Sequence, residues 1–208
     1  MKITKPLDNI LSTKLKTKIL RFLCRTGAEW NGRQIAKEIG VTPKSAHMAL
    51  NALKEERVLL LRNMGKTHIY TLNEENYIVS DLLKPLFLNE GKVLNKIMGI
   101  IKRNLSSSRI KNNILNVSLF GSVNMRQDHP TSDIDLAVIV SDVKTKPKIE
   151  KLFEKIDKKV SEKFGNSISP YINTKAEFKA KQEKKLEVVK NILEFNTLIY
   201  GERLGKIL

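Results

Sequence analysis

The spacing of apolar positions changes several times along the chain, and each change marks an element. Leu15, Ile19, Leu20, Phe22 and Leu23 recur at helical spacing between Lys14 and Thr26, and Gly27 closes the run as a helix-ending glycine does. The residues before Lys14 read as an arm or a short leading element. Gln34, Ile35, Ala36 and Ile39 predict a short second helix closed by Gly40. Thr42-Pro43 opens a third, over about residues 43–56, with an N-cap threonine and a proline in the first turn. Ala46, Leu50 and Leu53 would be its packing face. Residues 58–62 and 67–72 flank Asn63-Met64-Gly65-Lys66 and predict a β-hairpin. Asn73 can cap a helix through Tyr77, Ile78, Leu82, Leu83 and Leu86 that Pro85 should kink or end. A further helix over about 92–104 carries Val93, Ile97, Ile100 and Ile101, and Ser106-Ser107-Ser108 is a loop. An apolar run from Ile114 to Phe120 breaks at Gly121-Ser122, and a second begins within Ser132-Asp133-Ile134-Asp135 and ends at Val140. After it the pattern predicts a helix over about 148–164, a short strand over 168–172 and one long helix over about 175–199. The expected division is 1–72, a connecting helix over 73–90, and 91–208, joined stiffly because no Gly/Ser-rich linker intervenes.

Charge changes this picture. The 208 residues carry a net charge of +16, and both halves of the chain are basic, which favours a polyanionic partner. A lysine-rich surface that serves solubility alone is the competing reading. The one cysteine, Cys24, sits in an apolar helical pattern as a small hydrophobe; it excludes an intramolecular disulfide and a cysteine-built zinc site. No apolar run of about twenty residues and no signal peptide appear, so a cytoplasmic protein without a membrane segment is expected.

The chemistry concentrates in residues 118–140. Asp133 and Asp135 are two apart, so an extended strand would place both carboxylates on one face. Two such carboxylates repel each other and usually need a cation between them. Hard oxygen ligands suit Mg²⁺, which takes one or two carboxylates together with substrate phosphates. Gly121 allows close approach of backbone to a ligand, and Ser122 adds a hydroxyl beside backbone N–H groups able to cradle phosphate. Gly121-Ser122, a loop, then Ser132-Asp133-Ile134-Asp135 entering an apolar strand resembles the signature of the DNA polymerase beta-type nucleotidyltransferase superfamily, and within it the minimal nucleotidyltransferases. The resemblance implies a small mixed α/β fold and a nucleoside triphosphate held with Mg²⁺. It implies that Gly121, Ser122 and Ser132 bind phosphate and that Asp133 and Asp135 bind metal and serve catalysis. The acceptor it implies is a protein hydroxyl, a small molecule or an RNA end, and it also suggests a toxin partner. One element of the pattern is missing. The family's third carboxylate should stand on the next strand, but Ser167, Ser169, Tyr171 and Asn173 alternate there. Glu177, the nearest acid, reads as part of a capping box with Thr174.

Helix, helix, turn, helix, hairpin over the first 72 residues resembles the winged helix-turn-helix of prokaryotic transcriptional regulators. The fold class is therefore α+β, a winged helix-turn-helix followed by a nucleotidyltransferase-like domain. If the first unit binds DNA, the resemblance places Lys44, Ser45 and His47 of the third helix at bases or phosphates, and Arg62 and Lys66 of the wing at the backbone or minor groove. A homodimer is expected, because winged helices commonly bind DNA in pairs. A protein–protein module is the alternative use of the same fold, and Trp30 reads as a core or interface plug.

Overall fold

The computed structural model describes residues 2–207, and the chain divides into two compact units, Met1–Val93 and Leu94–Leu208. In the first, α1 (Leu7–Ile10) is a single turn that buries Ile10. It leads into α2 (Lys14–Thr26), whose Thr13 cap accepts from the Lys16 N–H and whose last turn ends on Gly27. The strand β1 (Trp30–Asn31) pairs with Tyr70 and Ile69, so Trp30 is fixed in a sheet and stacks, tilted, on Phe22 at 5.0 Å. Helices α3 (Gly32–Glu38) and α4 (Pro43–Glu55) follow. Asn31 and Gln34 form a reciprocal capping box on α3, and Thr42 caps α4 as its sequence predicts. The hairpin is β2 (Leu59–Met64) and β3 (Thr67–Leu72), in sheet order β1-β3-β2. Its first strand runs on to Met64, two residues past the expected end, leaving Gly65-Lys66 as the turn, while the second matches the expected 67–72. Leu59, Tyr70 and Leu72 face Leu20, Leu23, Leu50 and Leu53 in one core.

The segment after the hairpin corrects the sequence expectation. The side chain of Asn76, rather than that of Asn73, accepts the N–H of Ile78, while Asn73 donates to the Arg57 carbonyl. Residues Ile78–Leu83 form a π-helical stretch that runs directly into α5 (Lys84–Glu90). Pro85 thus does not end the helix. A proline has no N–H to donate and crowds the carbonyl four residues earlier, and a widened turn just ahead of it removes both problems. Ile78, Val79, Leu83 and Phe87 complete the core of the first unit.

The second unit is a four-stranded mixed sheet between two helical layers. Helix α6 (Val93–Ser106) precedes β4 (Ile114–Leu119), the one-turn α7 (Gly121–Asn124) and β5 (Ile134–Val140). Then come α8 (Lys146–Phe164) and β6 (Ile168–Thr174), longer than expected by two residues. The long terminal helix expected over 175–199 is not formed. The chain instead makes α9 (Lys175–Glu183), α10 (Glu187–Glu194), β7 (Thr197–Gly201) and α11 (Leu204–Ile207). Lys185 takes a left-handed backbone (φ 53°) that no helix continues through, and Thr197, Ile199 and Tyr200 suit an edge strand. The sheet order is β6-β5-β4-β7, with β5 and β6 parallel and the other pairs antiparallel. Ile134, Leu136, Val138 and Val140 feed a core with α6 and α8. Ala137 and Ile139, on the opposite face, pack with Phe178, Val189, Ile192 and Leu204.

Candidate functional site

The sheet register sets the site. Phe120 N–H donates to the carbonyl of Asp135 at 3.0 Å, so the turn after β4 lies against the start of β5. There Gly121 has φ +74°, and a Cβ on it would sit 2.3 Å from Asp135 Oδ2. A side chain is excluded twice over, by backbone conformation and by the carboxylate resting on its Cα. Asp133 is exposed and lies one residue ahead of the strand; Asp135 is half-buried on the face shared with Ala137 and Ile139. Burial, and then the neighbouring Asp133 charge, push the Asp135 carboxyl above the ordinary aspartate range. Among the described residues no cation or hydrogen-bond donor pairs with either side chain. The first N–H groups of a helical turn have no partner within it, and those of α7 start at Gly121 and Ser122. The Ser122 hydroxyl is half-buried beside them, while the Ser132 hydroxyl accepts the His129 N–H at 2.8 Å and belongs to the connecting loop.

One contact was beyond sequence reading. Thr197 Oγ1 of β7 donates to Asn124 Oδ1 at 2.7 Å and ties the Gly-Ser turn to the fourth strand. The periodicity placed Thr197 inside a helix, so no local signal pointed to it.

The strand expected to lack an acid does lack one: Ser169 is the β6 partner of Asp135. Glu177 does close the capping box, accepting the Thr174 N–H at 2.8 Å and pairing with Lys146. It sits where Thr174 meets Val140, the far end of the strand pair from Asp135. Asp142 follows β5 at that same end and is occupied with Ser141 and Thr145. Among the described residues no three His, Cys, Asp or Glu side chains cluster to hold a metal. The donor set at the Asp133–Asp135 pair is nonetheless hard, anionic and uncompensated, and it fits a divalent cation that takes its remaining ligands from a phosphate chain.

In the first unit, Lys44, Ser45 and His47 are exposed on the first turns of α4. The Ser45 hydroxyl is hydrogen-bonded to that of Thr42 at 2.9 Å, and His47 Nε2 lies 3.0 Å from Asn51 Nδ2. Arg62 and Lys66 part company. Arg62 pairs with Glu29 at 2.5 Å, on the opposite face of the hairpin from Tyr70, whereas Lys66 lines a cavity together with His47. Arg33 and His68 line the same cavity, and sequence reading passed over both.

A winged helix-turn-helix unit followed by a mixed α/β unit, with a Gly-Ser turn seated against a strand-borne aspartate, is the class that fold and site define. Residues 101–203 match the family model Polymerase beta, Nucleotidyltransferase, and the chain carries a nucleotidyltransferase domain of that family. No curated protein matches the chain. Among solved structures, a "possible transcriptional regulatory protein" fragment from Mycobacterium bovis is similar at 21% identity, over 41% of this chain and 88% of that one, with a TM-score of 0.35. The transcriptional repressor BigR from Xylella fastidiosa is similar at 19% identity over 40% and 81%, also with a TM-score of 0.35. A toxin–antitoxin structure with AMP-PNP is similar at 15% identity over 52% and 76%, with a TM-score of 0.33.

Proposed function

We propose that the second unit binds a nucleoside triphosphate with Mg²⁺ and transfers its nucleoside monophosphate to an acceptor hydroxyl, while the first unit binds DNA. The observation that carries the reading is the seating of Gly121 against the Asp135 carboxylate, with Asp133 beside it and, among the described residues, no cationic side chain paired with either. Asp133 and Asp135 would hold the cation, which when bound supplies charge neutralisation to a triphosphate. Gly121 and Ser122 would meet the phosphate chain with backbone N–H groups and a hydroxyl, and Ser132 would keep the loop between them in shape. The acceptor class is a hydroxyl on a protein, a partner toxin included, on a small molecule or on an RNA end. A cytoplasmic homodimer is the assembly proposed, and light scattering tests it.

Ser169 opposite Asp135 supports a second reading. Without a third carboxylate the acceptor hydroxyl lacks a general base on β6, a loss of typically ~10²–10⁴-fold in rate. In that reading the domain binds nucleotide and regulates the winged helix without transferring anything. Calorimetric titration of ATP, GTP, CTP and UTP with Mg²⁺ separates these cases from a dead site. Binding by wild type that disappears in Asp133→Ala/Asp135→Ala supports a live nucleotide site. Labelled nucleotide then passes to an acceptor in extract only under the transferase reading. No binding of any of the four by wild type would overturn both.

A further inference from the structure

The cavity beside α4 measures about 530 Å³, the size of pockets that take small ligands, and its walls come from three elements. Gly32 and Arg33 open α3, Pro43 and His47 belong to the first turns of α4, and Lys66, Thr67, His68 and Tyr70 come from the hairpin. Its polar lining is cationic or donating. Arg33, Lys66 and His68 engage in no ion pair among the described residues, no acid lines the cavity, and Asn31 spends its Oδ1 on the Gln34 N–H but keeps its Nδ2. The N-terminus of the thirteen-residue α4 adds the positive end of its dipole.

A second observation concerns Tyr70. The residue contributes to the cavity lining, is 1% exposed, and its hydroxyl is buried with no hydrogen-bond partner among the described residues. A buried hydroxyl without a partner is costly to keep. Two features separate this cavity from a surface that merely lies along a DNA backbone. Its lining continues past the exposed rim to a fully buried residue, and three elements wall it, which suits the end of a phosphate chain better than a diester flanked by sugars.

We infer that this cavity is a binding site for a small oligophosphate anion, with Arg33, Lys66, His47 and His68 as its ligands, and that its occupant excludes DNA from the α4–wing surface. The DNA half of this inference rests on the DNA-binding reading above; the anion half does not. Inorganic pyrophosphate, which nucleotidyl transfer would release, is the probe.

The chain has three histidines, and their positions make an internal control. His47 and His68 line the cavity, whereas His129 lies in the loop of the second unit beside Ser132. Full-length protein is titrated with pyrophosphate in metal-free buffer while the imidazole resonances are followed by NMR. The expected result is saturable shifts at His47 and His68 with His129 unmoved. Arg33→Ala or Lys66→Ala, both at exposed positions, should weaken binding about tenfold or more. Shifts confined to His129, shifts that do not saturate, or a response untouched by Arg33→Ala and Lys66→Ala would overturn the anion site. In the second arm, pyrophosphate should lower the affinity for a labelled duplex beyond an ionic-strength-matched chloride control. An effect equal to that control would overturn the exclusion. A duplex that never binds would sink the DNA reading and with it the exclusion, leaving the NMR result to decide the anion site.

Discussion

Gly121 shows how one residue can be held by two demands at once. Its positive φ is costly for any side chain, and the Asp135 carboxylate occupies the place a Cβ would need. Gly121→Ala should therefore destabilise the protein by roughly 1–3 kcal/mol in urea unfolding and abolish nucleotide binding. Asp135 presents the opposite trade. Its carboxylate is desolvated beside Asp133 with nothing to offset the charge, so Asp135→Asn should raise the melting temperature of metal-free protein at neutral pH while removing the nucleotide site. An unchanged or lowered melting temperature would mean the carboxylate is structurally useful after all. Cys24 behaves as its apolar setting suggested: it is buried, and burial raises its thiol to about 11, well away from reactivity.

Among the elements, some were plain in the sequence and some were not, for physical reasons. Helices α2, α4 and α8 declare themselves because an amphipathic stripe runs over three or more turns and is bounded by Gly27, by Thr42-Pro43 and by Gly165 respectively. The motif strands β4 and β5 are legible because each is a mainly apolar run bordered by a polar turn. By contrast, α9, α10 and β7 read as one helix, because leucine, isoleucine and phenylalanine at mixed spacing satisfy a helical period as easily as two short helices and a strand. The break falls at Lys185, a residue with no tendency to stop a helix, held left-handed in the turn that closes α9, where its N–H donates to the Gln182 carbonyl and that of Leu186 to the Lys181 carbonyl. Lys185→Gly should consequently stabilise the protein by about 0.5–1 kcal/mol, measured by thermal unfolding. The joint between α2 and α5 is a second element-scale prediction. Arg21 and Arg25 both bond Glu90, and the Arg21 bond chiefly holds the Glu90 carboxyl below the usual glutamate range. A carboxylate depressed in the folded state contributes stability above its unfolded pKa and loses it as pH falls through the folded value. The group is partly exposed, so Glu90→Gln should cost only about 0.5 kcal/mol at pH 7, with the difference from wild type vanishing in acid.

At the scale of the whole molecule, basic charge is spread over both units, and composition alone could say only that a polyanion was expected. The structure adds where the donors converge: His47 and Lys66 meet Arg33 and His68, while Arg62 is turned away and held by Glu29. If the winged helix binds duplex DNA, affinity should fall steeply with salt, and Lys66→Ala should weaken it more than Arg62→Ala. Equal losses, measured by fluorescence anisotropy at two salt concentrations, would mean both faces of the hairpin contact the duplex. The site residues of the second unit were readable because they cluster within one turn and one strand. The cavity of the first was not, since its cationic walls are separated in sequence by more than thirty residues and meet only once the hairpin folds back on α4.

The bond from Thr197 to Asn124 spans 73 residues, and β7 completes the sheet against β4 after α8, β6, α9 and α10 have all been laid down. As the chain leaves the ribosome, the Gly-Ser turn and both aspartates emerge long before the strand that anchors them. Contacts of such long sequence separation form late, after their loop-closure entropy has been met. The winged helix, built from local pairings, can therefore be complete while the nucleotidyltransferase domain on the same nascent chain still lacks the strand that holds its Gly-Ser turn.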